Sequence, residues 1–247
     1  MNEVHMTRAQ IIGIDFDNTI VNYNRAFLRT ALQLNFILKD WVYEMYGVDT
    51  FENRDWFKGS FTGAKNEIRD HLRSLENGED NWQYLQGQVY GNFIDYAELF
   101  PGVANFLVHC RNRGIQVYVI SHKTEFGHYD PSKTSLRKAA LGWMDRTGLF
   151  QDAYGISTSD VFFHNTRKQK IQSIATLKCD YFIDDLTEVF LEPDFPLDAK
   201  RILFTPNNVK SDIPSFDSWF AINKHIFKDI DTEDVLSYAE KVSNKKV

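Results

Sequence analysis

The segment IIGIDFDNTI, residues 11–20, contains the strongest structural signal in this chain. Its apolar first part, bounded by polar residues, is typical of a strand buried on both faces of a parallel sheet. Two carboxylates, Asp15 and Asp17, come at the end of this run, and Asn18 and Thr19 follow them. Ligands of parallel α/β sheets bind at the carboxyl ends of the strands. The segment therefore predicts a functional site at the end of the first strand.

Three later apolar runs resemble the first one, QIIGIDF at residues 10–16. They are QVYVIS at 116–121, DYFID at 180–184 and RILFT at 201–205. Apolar residues at helical spacing precede two of these runs, around 103–110 and 171–175. Strands and helices thus alternate, which predicts βαβ units. We expect an α/β fold with a doubly wound, Rossmann-like parallel sheet and helices on both of its faces.

Residues 22–98 interrupt this alternation, because they contain no comparable β run and show helical periodicity instead. Apolar residues from Phe27 to Met45 recur at steps of four and three, which predicts one amphipathic helix of about six turns. Further helices are expected around 63–76 and 82–98. This part of the chain is predicted to be an α-helical insert.

The sequence thus predicts two domains. The α/β core domain is formed by residues 1–21 and 99–247, and the helical cap domain, residues 22–98, is inserted after the first strand. The PG pair at 101–102 marks the return of the chain to the core.

Composition restricts the class of partner. The chain has 247 residues, of which 43% are hydrophobic, and a formal net charge of -6 at pH 7. Negative charge argues against nucleic acid, since proteins bind it largely through positive charge. No stretch approaches the roughly 20 apolar residues of a membrane span, and the N-terminal residues lack a signal-peptide pattern. We expect a cytoplasmic protein that binds neither nucleic acid nor membrane, with Cys110 and Cys179 as reduced core thiols.

Polar side chains follow other predicted strands as well. Ser121 ends QVYVIS, and its hydroxyl suits a phosphoryl oxygen. Asp184 and Asp185 end DYFIDD and supply the oxygen ligands that Mg²⁺ prefers. Like charges about 4 Å apart repel by about 4 kcal/mol at an effective dielectric near 20, so clustered acids call for a bound cation. Lys168 and Lys170, in TRKQKI, offer compact positive charges.

This order of residues resembles the motifs of the haloacid dehalogenase (HAD) superfamily. Its phosphatases carry Asp-x-Asp-x-Thr, then a Ser or Thr after a strand, then a Lys, then an acidic pair after another strand. All four elements occur here, over residues 11 to about 205, and the insert falls where the superfamily places its smaller, helical cap. The resemblance implies that Asp15 is the nucleophile, Asp17 the general acid and base, Ser121 a phosphate ligand and Lys170 the phosphate-binding lysine.

The resemblance also implies a Mg²⁺ cofactor. Asp15 would bind the ion through its carboxylate and Asp17 through its backbone carbonyl. Asp184 would supply the remaining metal carboxylate. Asp185 is also assigned to the metal site, because it would orient a metal-bound water or a neighbouring group.

Asn18 and Thr19 of the first motif are predicted to bind substrate. His122 and Lys123 are also predicted to bind substrate, because they follow Ser121 in a loop that should lie beside the phosphate. The alternative for these two is a solvated loop. Lys168 is the alternative to Lys170, which is favoured because the apolar residues that follow it fit the family's pattern.

Side chains of the predicted cap allow two interpretations. Four basic residues either recognise an anionic substrate or form a solvated helical face: Arg54, Lys58, Lys65 and Arg69. Five aromatic residues fit a packed cap core better than a stacking platform for substrate: Trp41, Trp56, Trp82, Tyr84 and Tyr90.

Asp17 indicates the reaction type. A second acid can protonate the leaving alcohol while the nucleophile attacks, and can then deprotonate the water that hydrolyses the intermediate. The resemblance therefore implies a Mg²⁺-dependent phosphohydrolase that acts on a small phosphorylated metabolite through an aspartyl-phosphate. Alternatives are a phosphotransferase or mutase with the same intermediate, and a catalytically weak phosphate-binding regulatory protein. Receiver domains of the latter kind are about half this length and have no helical insert after the first strand.

Overall fold

A computed structural model describes residues 8–47, 61–206 and 211–228. The chain divides into two compact units. The core unit comprises the residues up to Ile20, Phe100–His122 and the chain from Gly148 on. The cap unit comprises Val21–Leu99 and Lys123–Thr147. The sequence pattern predicts Lys123–Thr147 as part of the core domain, whereas in the structure this segment packs with the inserted helices.

Strands of the described chain are β1 Ile11–Ile14, β2 Val21–Asn22, β3 Glu98–Leu99, β4 Gln116–His122, β5 Val161–His164, β6 Tyr181–Asp184, β7 Lys200–Phe204 and β8 Ser215–Phe216. Six of them form a parallel sheet in the core unit, in the order β5-β4-β1-β6-β7-β8. β1 lies between β4 and β6, with Ile14 opposite both Val119 and Ile183. This arrangement confirms the predicted α/β fold with a parallel sheet.

Helices of the core unit are α5 Val103–Asn112, α7 Arg167–Thr176, α8 Thr187–Phe190 and α9 Trp219–Ile226. Successive side chains of a strand point to opposite faces of a sheet. Leu203 belongs to an apolar cluster with Ile171 and Ile174 of α7. The next residue, Phe204, has its ring centroid 5.9 Å from that of Trp219 in α9. Helices therefore cover both faces of the sheet, as the alternating pattern predicts.

Helices of the cap unit are α1 Asn24–Gln33, α2 Lys39–Tyr46, α3 Ala64–Arg73, α4 Gly78–Tyr90 and α6 Leu136–Arg146. The strands β2 and β3 of this unit pair antiparallel. The predicted single helix from Phe27 to Met45 is wrong, because the chain breaks at Asn35, which has a left-handed φ of 58°. Asparagine adopts this conformation readily, and the amide of Phe36 folds back to the Ala31 carbonyl at 2.8 Å, ending α1.

A network of side-chain hydrogen bonds attaches the later segment of the cap unit to α4. Asp130 Oδ1 accepts from Gln88 Nε2 at 3.4 Å and from Ser132 Oγ at 2.5 Å. Gln88 Oε1 accepts from Asn92 Nδ2 at 2.9 Å, and Asn92 Oδ1 accepts from Thr134 Oγ1 at 3.0 Å. The hydroxyl oxygens of Ser132 and Thr134 lie 3.1 Å apart. This polar network explains why the segment belongs to the cap unit.

Helices long and apolar enough to span a membrane do not occur in the described part of the chain.

Candidate active site

Two aspartates meet at the carboxyl edge of the central strands. Asp15 directly follows β1, and its amide donates to the carbonyl of Ile183 in β6 at 2.9 Å. Asp184 is the last residue of β6, and its Oδ1 accepts from the amide of Leu186 at 2.9 Å. Both side chains are buried, with 4% of Asp15 and none of Asp184 exposed. The adjacency of β1 and β6 thus places two carboxylates side by side in the interior.

Lys170 connects these two carboxylates. Its Nζ atom lies 2.5 Å from Oδ1 of Asp15 and 2.6 Å from Oδ2 of Asp184. The side chain is 2% exposed. It lies in the first half of α7, which begins after Thr166, whose hydroxyl accepts from an amide of the first turn. Lys168, two residues earlier on the same helix, is exposed.

A third carboxylate completes an acidic cluster. Oxygen atoms of Asp15, Asp184 and Asp185 all lie within 4.8 Å of one another. In the described residues this is the one group of three or more acidic, histidine or cysteine side chains with metal-binding geometry. The Lys170 ammonium contacts two of these three carboxylates, so acidic groups outnumber the basic one in the cluster. Oxygen donors gathered this closely fit a hard divalent cation such as Mg²⁺.

The charges of the cluster perturb one another. Burial raises the pKa of Asp15 to about 7, although the Lys170 ammonium acts in the opposite direction. Burial alone would lower the pKa of Lys170, but the carboxylates of Asp15 and Asp184 outweigh it and hold that pKa above its usual value. Lys170 is therefore positively charged throughout the physiological range. Strongly perturbed groups of this kind are typical of functional sites.

Asp17 lies in a tight turn after Asp15. The amide of Ile20 donates to the carbonyl of Phe16 at 3.1 Å and closes this turn. Asn18 inside it has a φ of 60°, and Asp17 is half-buried. Thr19 is fully buried, and its hydroxyl lies 3.5 Å from Oδ1 of Asp185.

The remaining predicted residues are distributed over both units. Ser121 is buried near the end of β4. His122 is exposed, and its Nε2 atom lies 3.1 Å from the carbonyl oxygen of Asn165. Lys123 belongs to the cap unit, where it is buried and its Nζ atom lies 4.9 Å from the ring centroid of Tyr90. Of the predicted site residues, the structure therefore shows side-chain contacts or close approach within one acidic cluster for Asp15, Lys170, Asp184 and Asp185.

The aromatic residues of the cap unit pack mainly on one another. Trp82 stacks on Phe27 with ring centroids 5.1 Å apart, and Tyr90 meets Tyr23 edge to face at 4.8 Å. The ring centroids of Tyr84 and Phe36 lie 6.1 Å apart. Among the basic candidates, Arg69 is bonded to its neighbour Asp70, and the Nζ atom of Lys65 lies 5.8 Å from the Phe27 ring centroid. Three further candidates lie outside the described residues: Arg54, Trp56 and Lys58.

Sequence reasoning missed one residue that contacts the first motif. Trp219, at the start of α9, donates from Nε1 to the carbonyl of Thr19 at 2.9 Å. The two residues are 200 positions apart, and Trp219 lies beyond the last of the four motifs. A single buried tryptophan carries no sequence signal for such a contact.

Comparison with known proteins places the fold. No protein-family model matches the chain, and no curated protein matches its sequence. Solved structures do match. A HAD-superfamily hydrolase from Ehrlichia chaffeensis has a TM-score of 0.51 at 12% identity, covering 91% of this chain and 100% of that one. The HAD-hydrolase YfnB from Bacillus subtilis, bound to magnesium, has a TM-score of 0.51 at 13% identity with the same coverage, 91% and 100%.

Another matching structure is named as a kinase and not as a hydrolase. Protein Tyrosine Kinase A from Mycobacterium tuberculosis has a TM-score of 0.52 at 11% identity, covering 89% of this chain and 98% of that one. At such identities the likeness concerns the fold alone. The chain has the fold of HAD-superfamily hydrolases, which confirms the fold that its motifs implied. Function has to be argued from the site, because one fold supports different reactions.

Proposed function

We propose that this protein is a Mg²⁺-dependent phosphohydrolase that acts on a small phosphorylated metabolite through an aspartyl-phosphate intermediate. The observation that supports it most directly is the buried contact of Lys170 with both Asp15 and Asp184. A structural ion pair needs one carboxylate for one ammonium. Here the lysine contacts two carboxylates, and oxygen atoms of these two and of Asp185 lie within 4.8 Å of one another, an arrangement suited to a divalent cation and an anionic substrate.

In this proposal Mg²⁺ would be held by Asp15, Asp184, Asp185 and the backbone carbonyl of Asp17. When bound, it neutralises the acidic cluster and the charge of the phosphate ester. A carboxylate and a phosphate dianion repel each other, so nucleophilic attack by Asp15 requires such neutralisation. The fit of the donor set to Mg²⁺ therefore belongs to the same proposal as the reaction.

The protein side chains divide the chemistry between them. A carboxylate oxygen of Asp15 attacks phosphorus. The bond between phosphorus and the oxygen of the leaving alcohol breaks as Asp17 donates a proton to this leaving oxygen. Asp17 then takes a proton from water, which attacks the aspartyl-phosphate and releases inorganic phosphate. Lys170 and Ser121 hold the phosphoryl oxygens as charge builds on them.

The small-substrate class is inferred from chain connectivity. The chain enters the cap unit directly after Thr19 and Ile20, and enters it again directly after Ser121 and His122. Two of the segments that bear proposed catalytic groups are thus followed directly by segments of the cap unit. This connectivity is the reason for proposing a small metabolite, and not a phosphoprotein, as the substrate.

A panel of phosphorylated metabolites tests this proposal. Phosphate release should require Mg²⁺ and should be abolished by Asp15→Asn, which keeps the shape of the side chain. Asp194→Asn is a matched control, because Asp194 is an exposed aspartate of the core unit. Release of phosphate from a phosphoprotein in preference to every small ester would contradict the substrate class. Transfer of phosphate to an added alcohol in place of water would identify a phosphotransferase.

A further inference from the structure

The peptide group between Thr19 and Ile20 is fixed at both of its ends. Its N–H, from Ile20, donates to the Phe16 carbonyl at 3.1 Å and closes the turn that contains Asp17. Its C=O, from Thr19, accepts from the indole Nε1 of Trp219 at 2.9 Å. Because a peptide group is planar and rigid, a hydrogen bond at one end restricts the orientation of the other. Trp219 thus acts on the hydrogen bond that closes the turn.

The indole that makes this contact is itself firmly held. Trp219 is completely buried, and its ring centroid lies 5.0 Å from that of Phe106 in α5. The hydroxyl of Ser218 accepts from the amide of Ala221 and begins α9 at this residue. Gly102 leaves room for it, since an added Cβ there would come within 2.9 Å of the Trp219 Cβ. The donor therefore has one fixed position relative to the turn.

The turn needs external support. Asn18 adopts a left-handed φ of 60°, a conformation less favourable than the right-handed one for a residue with a side chain. Thr19 is fully buried, so its carbonyl would be left without a protein partner at this position if the indole N–H were removed. An orphaned buried carbonyl favours rotation of its peptide group. Such a rotation would move Asp17, two residues earlier.

We propose that Trp219 is a positioning residue, which orients Asp17 by holding the Thr19–Ile20 peptide group. This inference rests on the proposed phosphohydrolase function for its catalytic consequence only. Trp219 lies outside the four motifs that define the resemblance to the HAD superfamily. It acts through the turn and contacts no reacting group.

The test compares two tryptophans that make the same kind of contact. Trp219→Phe removes the indole N–H while keeping an aromatic ring. Trp143→Phe is the matched control, because Trp143 is equally buried and donates from Nε1 to a backbone carbonyl, that of Ala97, at 3.3 Å in the cap unit. Both variants lose one buried hydrogen bond, so their losses of thermal stability should be similar. A difference between the two variants in amide exchange or kcat therefore reports on the location of the lost hydrogen bond, and not on its loss alone.

Two readouts are used. Hydrogen exchange of the metal-free protein, followed on peptides covering residues 15–20, should be faster at the Ile20 amide in Trp219→Phe by about tenfold, and unchanged in Trp143→Phe. Under Mg²⁺-dependent turnover, kcat should fall by about tenfold in Trp219→Phe with KM within about twofold, since Asp17 acts on the leaving group and water. Trp143→Phe should retain both constants.

Equal exchange and equal kcat in the two variants would overturn the proposal, as would a fall in kcat with unchanged exchange. Where Trp219→Phe does not fold, 3-benzothienylalanine incorporated at position 219 keeps the ring shape and replaces the N–H by sulfur, and the same outcomes apply. If the unaltered protein releases no phosphate from any ester, the proposed function fails. Exchange at Ile20 still decides whether Trp219 holds the turn.

Discussion

Lys170 places its ammonium 2.5 Å from the carboxylate of Asp15, a residue 155 positions earlier in the sequence. The contact depends on the position of α7 beside the sheet and on the adjacency of β1 and β6. Because both groups are almost completely buried, neither can find a substitute partner in water if the other is removed. The geometry of the site is therefore coupled to the stability of the core unit.

Replacing Lys170 tests this coupling. Lys170→Met should abolish phosphate release and lower the free energy of unfolding by about 3 kcal/mol or more, because it leaves buried carboxylates without their counter-ion. Urea denaturation and a phosphate assay measure the two effects. Lys168→Met is the matched control on the same helix, and its exposed side chain should change stability by less than about 0.5 kcal/mol. Loss of activity in the Lys168 variant alone would refute the assignment.

The pH dependence of stability follows from Asp15. Its pKa in the folded protein is raised to about 7 from an ordinary value of 3.8, so the folded state favours the protonated form. This group's contribution to stability is fully present below about pH 4 and is lost as the pH rises through about 7. Without metal, the unaltered protein should thus lose more stability between pH 5 and 8 than Asp15→Asn does. Urea titrations that run parallel for the two proteins would exclude this assignment.

Metal binding is expected to depend on the paired acids that follow β6. Asp184→Asn should abolish Mg²⁺ binding, and Asp185→Asn should weaken it by about tenfold or more, since each removes negative charge from the cluster. Isothermal titration calorimetry measures both. Asp194→Asn serves again as the control, and its Mg²⁺ affinity should be unchanged. Unaltered affinity in Asp184→Asn would mean that the ion binds elsewhere.

The network of hydrogen bonds around Asp130 in the cap unit predicts a stability effect of its own. Asp130→Ala removes the acceptor for the amides of Ser132 and Thr134 and for the Gln88 side chain. Unfolding should become easier by about 1–3 kcal/mol, the cost of leaving buried donors unpaired. Ser132→Ala, which removes only one hydroxyl of the network, should cost less. A larger loss in Ser132→Ala than in Asp130→Ala would contradict this account of the segment.

The central strands and the acidic site could be predicted because their signals are local. β1 and β6 are short apolar runs whose next residues are carboxylates, and parallel strands bring such ends to one edge. β5 at the sheet edge is not predicted, because its apolar run, VFF at 161–163, is only three residues long, which is too short for a strand signal.

Other features depend on contacts that periodicity does not encode. The break between α1 and α2 results from the left-handed conformation of Asn35, whereas the apolar spacing continues through it. Lys123–Thr147 joins the cap unit through polar side chains such as Gln88 and Asp130, which a hydrophobic pattern does not reveal. The link from Trp219 to Thr19 spans 200 residues and follows only from the assembled fold.

The aspartyl-phosphate is tested most directly by mass spectrometry of the peptide that contains Asp15, after acid quenching of a reaction with a phosphate ester whose leaving group needs no protonation. We expect a phosphoryl group on Asp15 that forms only with Mg²⁺, and an increased yield of this adduct in Asp17→Asn, where its hydrolysis is slowed and its formation needs no acid. Phosphorylation of a different residue, or continued phosphate release by Asp15→Asn, would contradict it.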